Sequence, residues 1–211
     1  MIKKETDKSK SDIDSMEIAP RFKVKHWKKL NLDDPANPDW HKAVDVFKSR
    51  IFSRFIEPAD ILIEAYKKDS SKKVGFAVLA LDFIVIETIQ GFIEGKLDRS
   101  DPPGPFKRFL TTAHEFKDVV RSEGFAMCIY GAFRSGIIHQ GQTDGNFRVR
   151  ADGKMIQRRG KAPKYDITIN RTKFHEAVKS AFERYCYELS DLSNKELRCN
   201  FRKKMDYICG I

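Results

Sequence analysis

Val74–Ile93 reads VGFAVLALDFIVIETIQGFI, an apolar run with Asp82, Glu87 and Gln90 set inside it. A stretch this long and apolar is either a membrane span or a helix that is hydrophobic all round and sits in a core. Each acid at the centre of a span costs roughly 2.5–3.5 kcal/mol on insertion scales, which argues against a membrane. The stretch therefore predicts a central core helix from about Val74 to Glu94, stopped by Gly95. Buried acids are costly unless paired. At least one of Asp82 and Glu87 must then meet a cation, and Arg134 is the candidate, with Glu87 the preferred partner.

Working outward, other segments carry helical spacing. Val44, Phe47, Ile51 and Phe55 recur as one helical face after Asp39, a good N-cap. Pro58 predicts a kink or a restart before Ile61, Leu62 and Ala65. Beyond the rigid Asp101-Pro102-Pro103-Gly104-Pro105 break, Phe106, Phe109, Leu110, Ala113 and Phe116 mark a shorter helix. A fourth runs from about Val119 to Ile138, and a long one opens at Thr172 with Phe174, Val178, Phe182, Tyr185 and Leu189. Gly136 serves either close helix packing or close approach of a ligand. Trp27 and Trp40 read as core or lid residues.

Between the last two helices the period changes to two. Phe147-Arg148-Val149-Arg150, a turn at Ala151–Lys154, and Met155–Arg159 read as a β-hairpin, with Tyr165–Ile169 as a third strand. The chain as a whole predicts a mainly α fold with a small β insertion at about 145–170, before the last long helix. Residues 21–193 form the domain. Residues 1–20, polar and poor in apolar anchors, read as a disordered arm, and 194–211 as a basic C-terminal tail.

The 211 residues carry a formal charge of +10, which suits an acidic partner but speaks to association and not to fold. That charge is concentrated. Arg148, Arg150, Lys154, Arg158, Arg159, Lys161, Lys164, Arg171 and Lys173 face only Asp152 and Asp166 within 145–175. The stretch is either a solvated charged hairpin or a phosphate-tracking rim, with Phe147 and Tyr165 placed to stack on bases. Cys128, Cys186, Cys199 and Cys209 form no CxxC pair and no zinc spacing, and Met1–Pro20 has no apolar signal core. A reduced, cytoplasmic protein with no metal or cofactor is the expectation.

The segment Tyr130-Gly131-Ala132-Phe133-Arg134-Ser135-Gly136-Ile137-Ile138-His139-Gln140-Gly141 closes the fourth helix. Arg134 can stabilise phosphate charge and His139 can move a proton near neutral pH. Spacing alone does not single the pair out, since Arg21/His26 and Arg108/His114 are set alike. Context does, because only Arg134/His139 follows an apolar helix and precedes the basic segment. His139 can equally be a helix-end histidine favoured by the dipole.

This segment resembles the HEPN superfamily, all-α proteins marked by Arg, a polar residue and, after four to six positions, His. The order of elements agrees over about residues 40–190: a kinked first helix, an acid-bearing second helix, then Arg134-Ser135-Gly136-Ile137-Ile138-His139. Where that family usually has Asn, Asp or His, this chain has Ser135, which can donate and accept a hydrogen bond. Where toxin members carry a modifiable Tyr two residues after the His, it has Gly141.

The resemblance implies a bundle of about five helices and metal-independent ribonuclease chemistry in a homodimer. Arg134, Ser135 and His139 would be catalytic, Glu87 and Asp82 supporting, and Arg148, Arg150, Lys154, Arg158, Arg159 and Lys161 would hold RNA. Family context implies a role in defence or as a toxin. The alternative is a non-catalytic module that binds RNA, a nucleotide or a partner protein.

Overall fold

The computed structural model describes residues 12–97, 103–143, 145–161 and 164–211, with the backbone alone at 161, 164 and 165. Segment 1–11, the Asp101-Pro102 break and the side chains of Lys161, Lys164 and Tyr165 lie outside the described residues. The chain is mainly helical with two small sheets. In order these are β1 (Glu17–Ala19), β2 (Phe22–Lys23), α1 (Val24–Trp27), α2 (Asp39–Ile51), α3 (Glu57–Lys68), α4 (Gly75–Ile93), α5 (Pro103–Thr112), α6 (Glu123–Ile129), α7 (Gly136–Gln140), β3 (Arg148–Arg150), β4 (Ile156–Lys161), β5 (Lys164–Asn170), α8 (Arg171–Ser190) and α9 (Lys195–Ile208). The four cysteines are free.

Two wide π turns interrupt the helices, Phe52–Ile56 between α2 and α3 and Tyr130–Ser135 between α6 and α7. The first answers the Pro58 signal. The widened turn lets the helix restart with proline in its opening turn, where the missing N–H has no partner to lose. At the start of α2 the cap position is Pro38 and Asp39 is the first helical residue; Asn37 Oδ1 accepts the Asp39 N–H at 3.0 Å.

Two compact units follow. One holds residues 1–54, 92–98 and 185–211. Its core is an aromatic cluster around Phe201, with Phe47 at 5.4 Å, Phe92 at 5.8 Å, Trp27 at 6.1 Å and Trp40 at 6.3 Å between ring centroids. Both tryptophans are core residues.

Two expectations need correction here. Residues 194–211 are no loose tail: α9 buries Arg198, Phe201 and Met205 at the helical i, i+3, i+7 spacing. Charge between those positions obscures the stripe, and one of its members is an arginine. Arg198 lies 4.0 Å over the Trp40 ring and donates to the Pro35 carbonyl. The segment 12–20 is also ordered. Ile18 and Ala19 of β1 are buried, and Arg50 donates to the Ile18 carbonyl at 2.6 Å. Two small apolar anchors suffice because β2 and Arg50 satisfy the strand's backbone.

The second unit holds residues 55–91 and 99–184. Phe83 packs edge-on against Phe106 and Phe174, and Phe116 against Phe174. Among the described residues α4 alone is long and apolar enough to cross a membrane. Val78, Leu79, Phe83, Val85, Ile86 and Ile89 on it are buried within the protein, as a central core helix requires.

The β segment has an arrangement different from the expected hairpin. The strand order is β3-β5-β4, with β3 parallel to β5 and β4 antiparallel to it. Strand β5 takes the centre because its Ile167 and Ile169 are fully buried, while the Arg-rich strands make edges that resist further pairing. The 151–155 connection must cross the end of β5. Asn170 pins it there, Nδ2 donating to the Gly153 carbonyl and its N–H to the Met155 carbonyl. Asn170 Oδ1 also accepts the Thr172 and Lys173 N–H groups and so caps α8.

Candidate active site

The segment carrying Arg134 and His139 is built from its first residue. Ser122 caps α6, its Oγ accepting the Phe125 N–H at 3.3 Å. The π turn Tyr130–Ser135 follows and α7 ends at Gly141 in the left-handed conformation, with φ of 65°. The chain then folds back on itself. Gln142 N–H donates to the Gly136 carbonyl, and a Cβ at Gly136 would lie 2.5 Å from the Gln142 oxygen. The glycine is there for the chain's own backbone. Thr143 Oγ1 donates to the Phe147 carbonyl, and the Phe147 ring stands edge-on to Phe133 at 5.6 Å. Phe147 therefore anchors β3 to the helix.

Arg134 sits in the π turn, half-buried. Its Nε donates to Glu87 Oε1 at 2.8 Å and its Nη2 to Oε2 at 3.2 Å, a bidentate pair to the core helix α4. The guanidinium also lies 5.3 Å from the Tyr130 ring centroid. Burial lowers its pKa, but the Glu87 bonds and charge more than reverse this and leave it raised. The guanidinium stays charged, and Nη1 has no protein partner among the described residues. Glu87 thus holds one edge of the fork and leaves the other open. Ser135, next to it, is half-buried, and its side chain makes no hydrogen bond among the described residues. His139 is exposed near the helix end and likewise has no hydrogen bond or ion pair there. Within one chain, Arg134 turns inward to Glu87 while His139 faces out.

Asp82 does not join this group. It is 1% exposed and faces His175 of α8, 2% exposed, with Oδ1 2.7 Å from Nδ1. The other ring nitrogen of His175 is 3.3 Å from Asp60 Oδ1 on α3, and Lys179 donates to Asp60 Oδ2 at 2.8 Å. Burial pushes the Asp82 carboxyl up to about 6, against the pull of His175. Burial lowers His175, but the two carboxylates outweigh it and hold the imidazole above its ordinary value. The result is a network of two acids and two cations that joins α3, α4 and α8. Asp60, His175 and Lys179 were not singled out in the sequence. Their only signal was a cation column, Arg171, His175 and Lys179, at four-residue spacing on one helix face.

The basic residues divide by face. Register pairs Arg148 with Thr168, Arg150 with Asn170 and Arg159 with Asp166. Side chains of paired residues share a face. Arg148, Arg150 and Arg159 therefore stand together on the outer side of the sheet, all exposed, with Asp166 beside Arg159. Lys154 is exposed in the crossing loop. Arg158 belongs to the other face, 5.0 Å over the Phe125 ring of α6.

Comparison with protein-family models, with curated proteins and with solved structures finds no match to this chain. Fold and site define a mainly helical protein in which an arginine in a π turn, gripped by a carboxylate, leads to an exposed histidine and an arginine-faced sheet.

Proposed function

We propose that the chain is a metal-independent endoribonuclease of the HEPN type that acts as a homodimer. The observation that carries the reading is Arg134, clamped by Glu87 with its Nη1 edge open, in the π turn that leads into the helix bearing His139. Cleavage by an internal 2′-hydroxyl needs a base for that hydroxyl, an acid for the leaving 5′-oxygen and a cation for the phosphorane. Neutral His139 of one protomer takes the 2′ proton, the 2′-oxygen bonds to phosphorus, and the bond to the 5′-oxygen breaks. The protonated His139 of the other protomer supplies that oxygen's proton. The products are a 2′,3′-cyclic phosphate and a 5′-hydroxyl, and no water is consumed. Arg134 Nη1 neutralises the phosphorane oxygens, and Arg148, Arg150 and Arg159 hold flanking phosphates.

Exposed apolar residues beside the site support the two-fold arrangement. Met127 and Ile138, 40% and 43% exposed, lie at helical spacing with half-buried Tyr130 and Arg134. Ile84 of α4, 39% exposed, lies one turn from Glu87. An isologous contact through this stripe brings two Arg134/His139 pairs together. The non-catalytic RNA-binding alternative is favoured by a different observation: no described residue orients the His139 ring.

The test is incubation with labelled single-stranded RNA in EDTA beside His139→Ala. The enzyme reading expects cyclic-phosphate ends from the unaltered protein and none from the variant, with RNA affinity equal in both. Binding without cleavage by the unaltered protein selects the alternative.

A further inference from the structure

Away from His139, the start of α6 borders a cavity of about 240 Å³ lined by Asp118, Val119, Arg121, Ser122, Phe125, Ile156 and Arg158. Two exposed arginines line it from different elements, one from the loop before α6 and one from β4. Arg158 is the single strand arginine named above that leaves the outer face, and the Phe125 ring supports its guanidinium. Arg121 is held through Nε, which donates to the Asp118 carbonyl at 2.9 Å, so its two terminal nitrogens remain to donate elsewhere. Ser122 Oγ accepts the Phe125 N–H and keeps its hydroxyl hydrogen to donate. Asp118 contributes the one acid, so the lining side chains carry two cations against one anion.

We propose that this cavity is a phosphate-binding site in which Arg121, Arg158 and Ser122 donate to a single phosphoryl group. A volume of about 240 Å³ accommodates a phosphoryl group. Val119 and Ile156 give the rim an apolar side for an attached sugar. The phosphate belongs either to an RNA strand, which rests on the function proposed above, or to a small phosphorylated compound, which does not. Ser122 and His139 stand at opposite ends of the segment that runs through α6, the π turn and α7. An RNA bound at both ends would therefore run along that segment.

Two arms test this. In the first, inorganic phosphate is titrated at constant ionic strength while the arginine Nε–Hε NMR signals are followed, with Arg121→Gln and Arg158→Gln supplying assignments. Saturable shifts of both signals, each lost in the other's variant, are expected. Arg121→Gln lies outside the sheet and keeps the test decisive if Arg158→Gln disturbs β4. In the second, single-stranded RNA binds His139→Ala protein, with and without Arg121→Gln, across a salt series. A log–log salt slope shallower by about 0.7, one phosphate on a single strand, assigns the ligand to RNA. Phosphate shifts with an unchanged slope uphold the site and assign it to a small phosphorylated compound. Arginine signals that ignore phosphate overturn the proposal, whatever the RNA arm shows about His139.

Discussion

Asp82→Ala is the sharpest test of how the second unit is held together. The substitution removes the carboxylate from His175 and leaves a buried imidazolium facing only Asp60 at 3.3 Å. Breaking a buried ion pair from one side costs about 3–5 kcal/mol, because the remaining charge is stranded out of water. For a chain of 211 residues each kcal/mol shifts the thermal midpoint by about 2–4 °C, so a fall of about 6–20 °C is expected. The measurement is thermal unfolding by circular dichroism at pH 6.5, above the Asp82 value of about 6 and within the range where His175 holds its proton. Asp82→Asn keeps an acceptor for the imidazole N–H and should cost less than Asp82→Ala. A fall under 2 °C in Asp82→Ala would mean that the 2.7 Å contact is not an ion pair, and the argument from buried charge would fail.

The same network sets a pH dependence with a definite sign. Since His175 is raised in the folded protein, its contribution is complete below about 6.5, its ordinary value, and is lost as pH rises through the raised value. The unaltered protein should lose midpoint temperature in that alkaline direction, and His175→Gln should lack this component; parallel profiles for the two proteins would refute it. Glu87→Gln should lower RNA cleavage by about 10- to 100-fold through loss of Arg134 alignment while RNA affinity holds. Unchanged turnover would remove Glu87 from the positioning role. Gly136→Ala should destabilise by about 1–3 kcal/mol, since its Cβ would meet the Gln142 oxygen at 2.5 Å. Denaturant titration with a midpoint equal to the parent's would contradict that. Replacing Arg148, Arg150 and Arg159 by Gln together should make the salt slope of RNA binding shallower by about 2, at about 0.7 per phosphate; a full slope retained would place the RNA elsewhere.

What the sequence by itself determined is local. The apolar run at Val74–Ile93 implied a core helix, Pro58 a restarted helix, and the alternating stretch at 147–169 three strands, because each follows from periodicity or backbone restriction acting over a few residues. The need of acids in an apolar helix for cations was likewise legible, and half-buried Glu87 does pair with Arg134, since desolvation does not depend on the fold. Tertiary structure alone decided who pairs with whom. Strand β5 takes the centre of its sheet because Ile167 and Ile169 need cover on both flanks, and short-range alternation cannot reveal that order. Asp82 meets His175 from 93 positions away. The α9 stripe hides among cations because Arg198 needs Trp40 to make its core position tolerable. Arg158 leaves its neighbours for the inner face because register, set by pairing with Ile167, assigns sides one residue at a time. Each of these depends on contacts between distant parts of the chain, and composition and spacing carry no record of them.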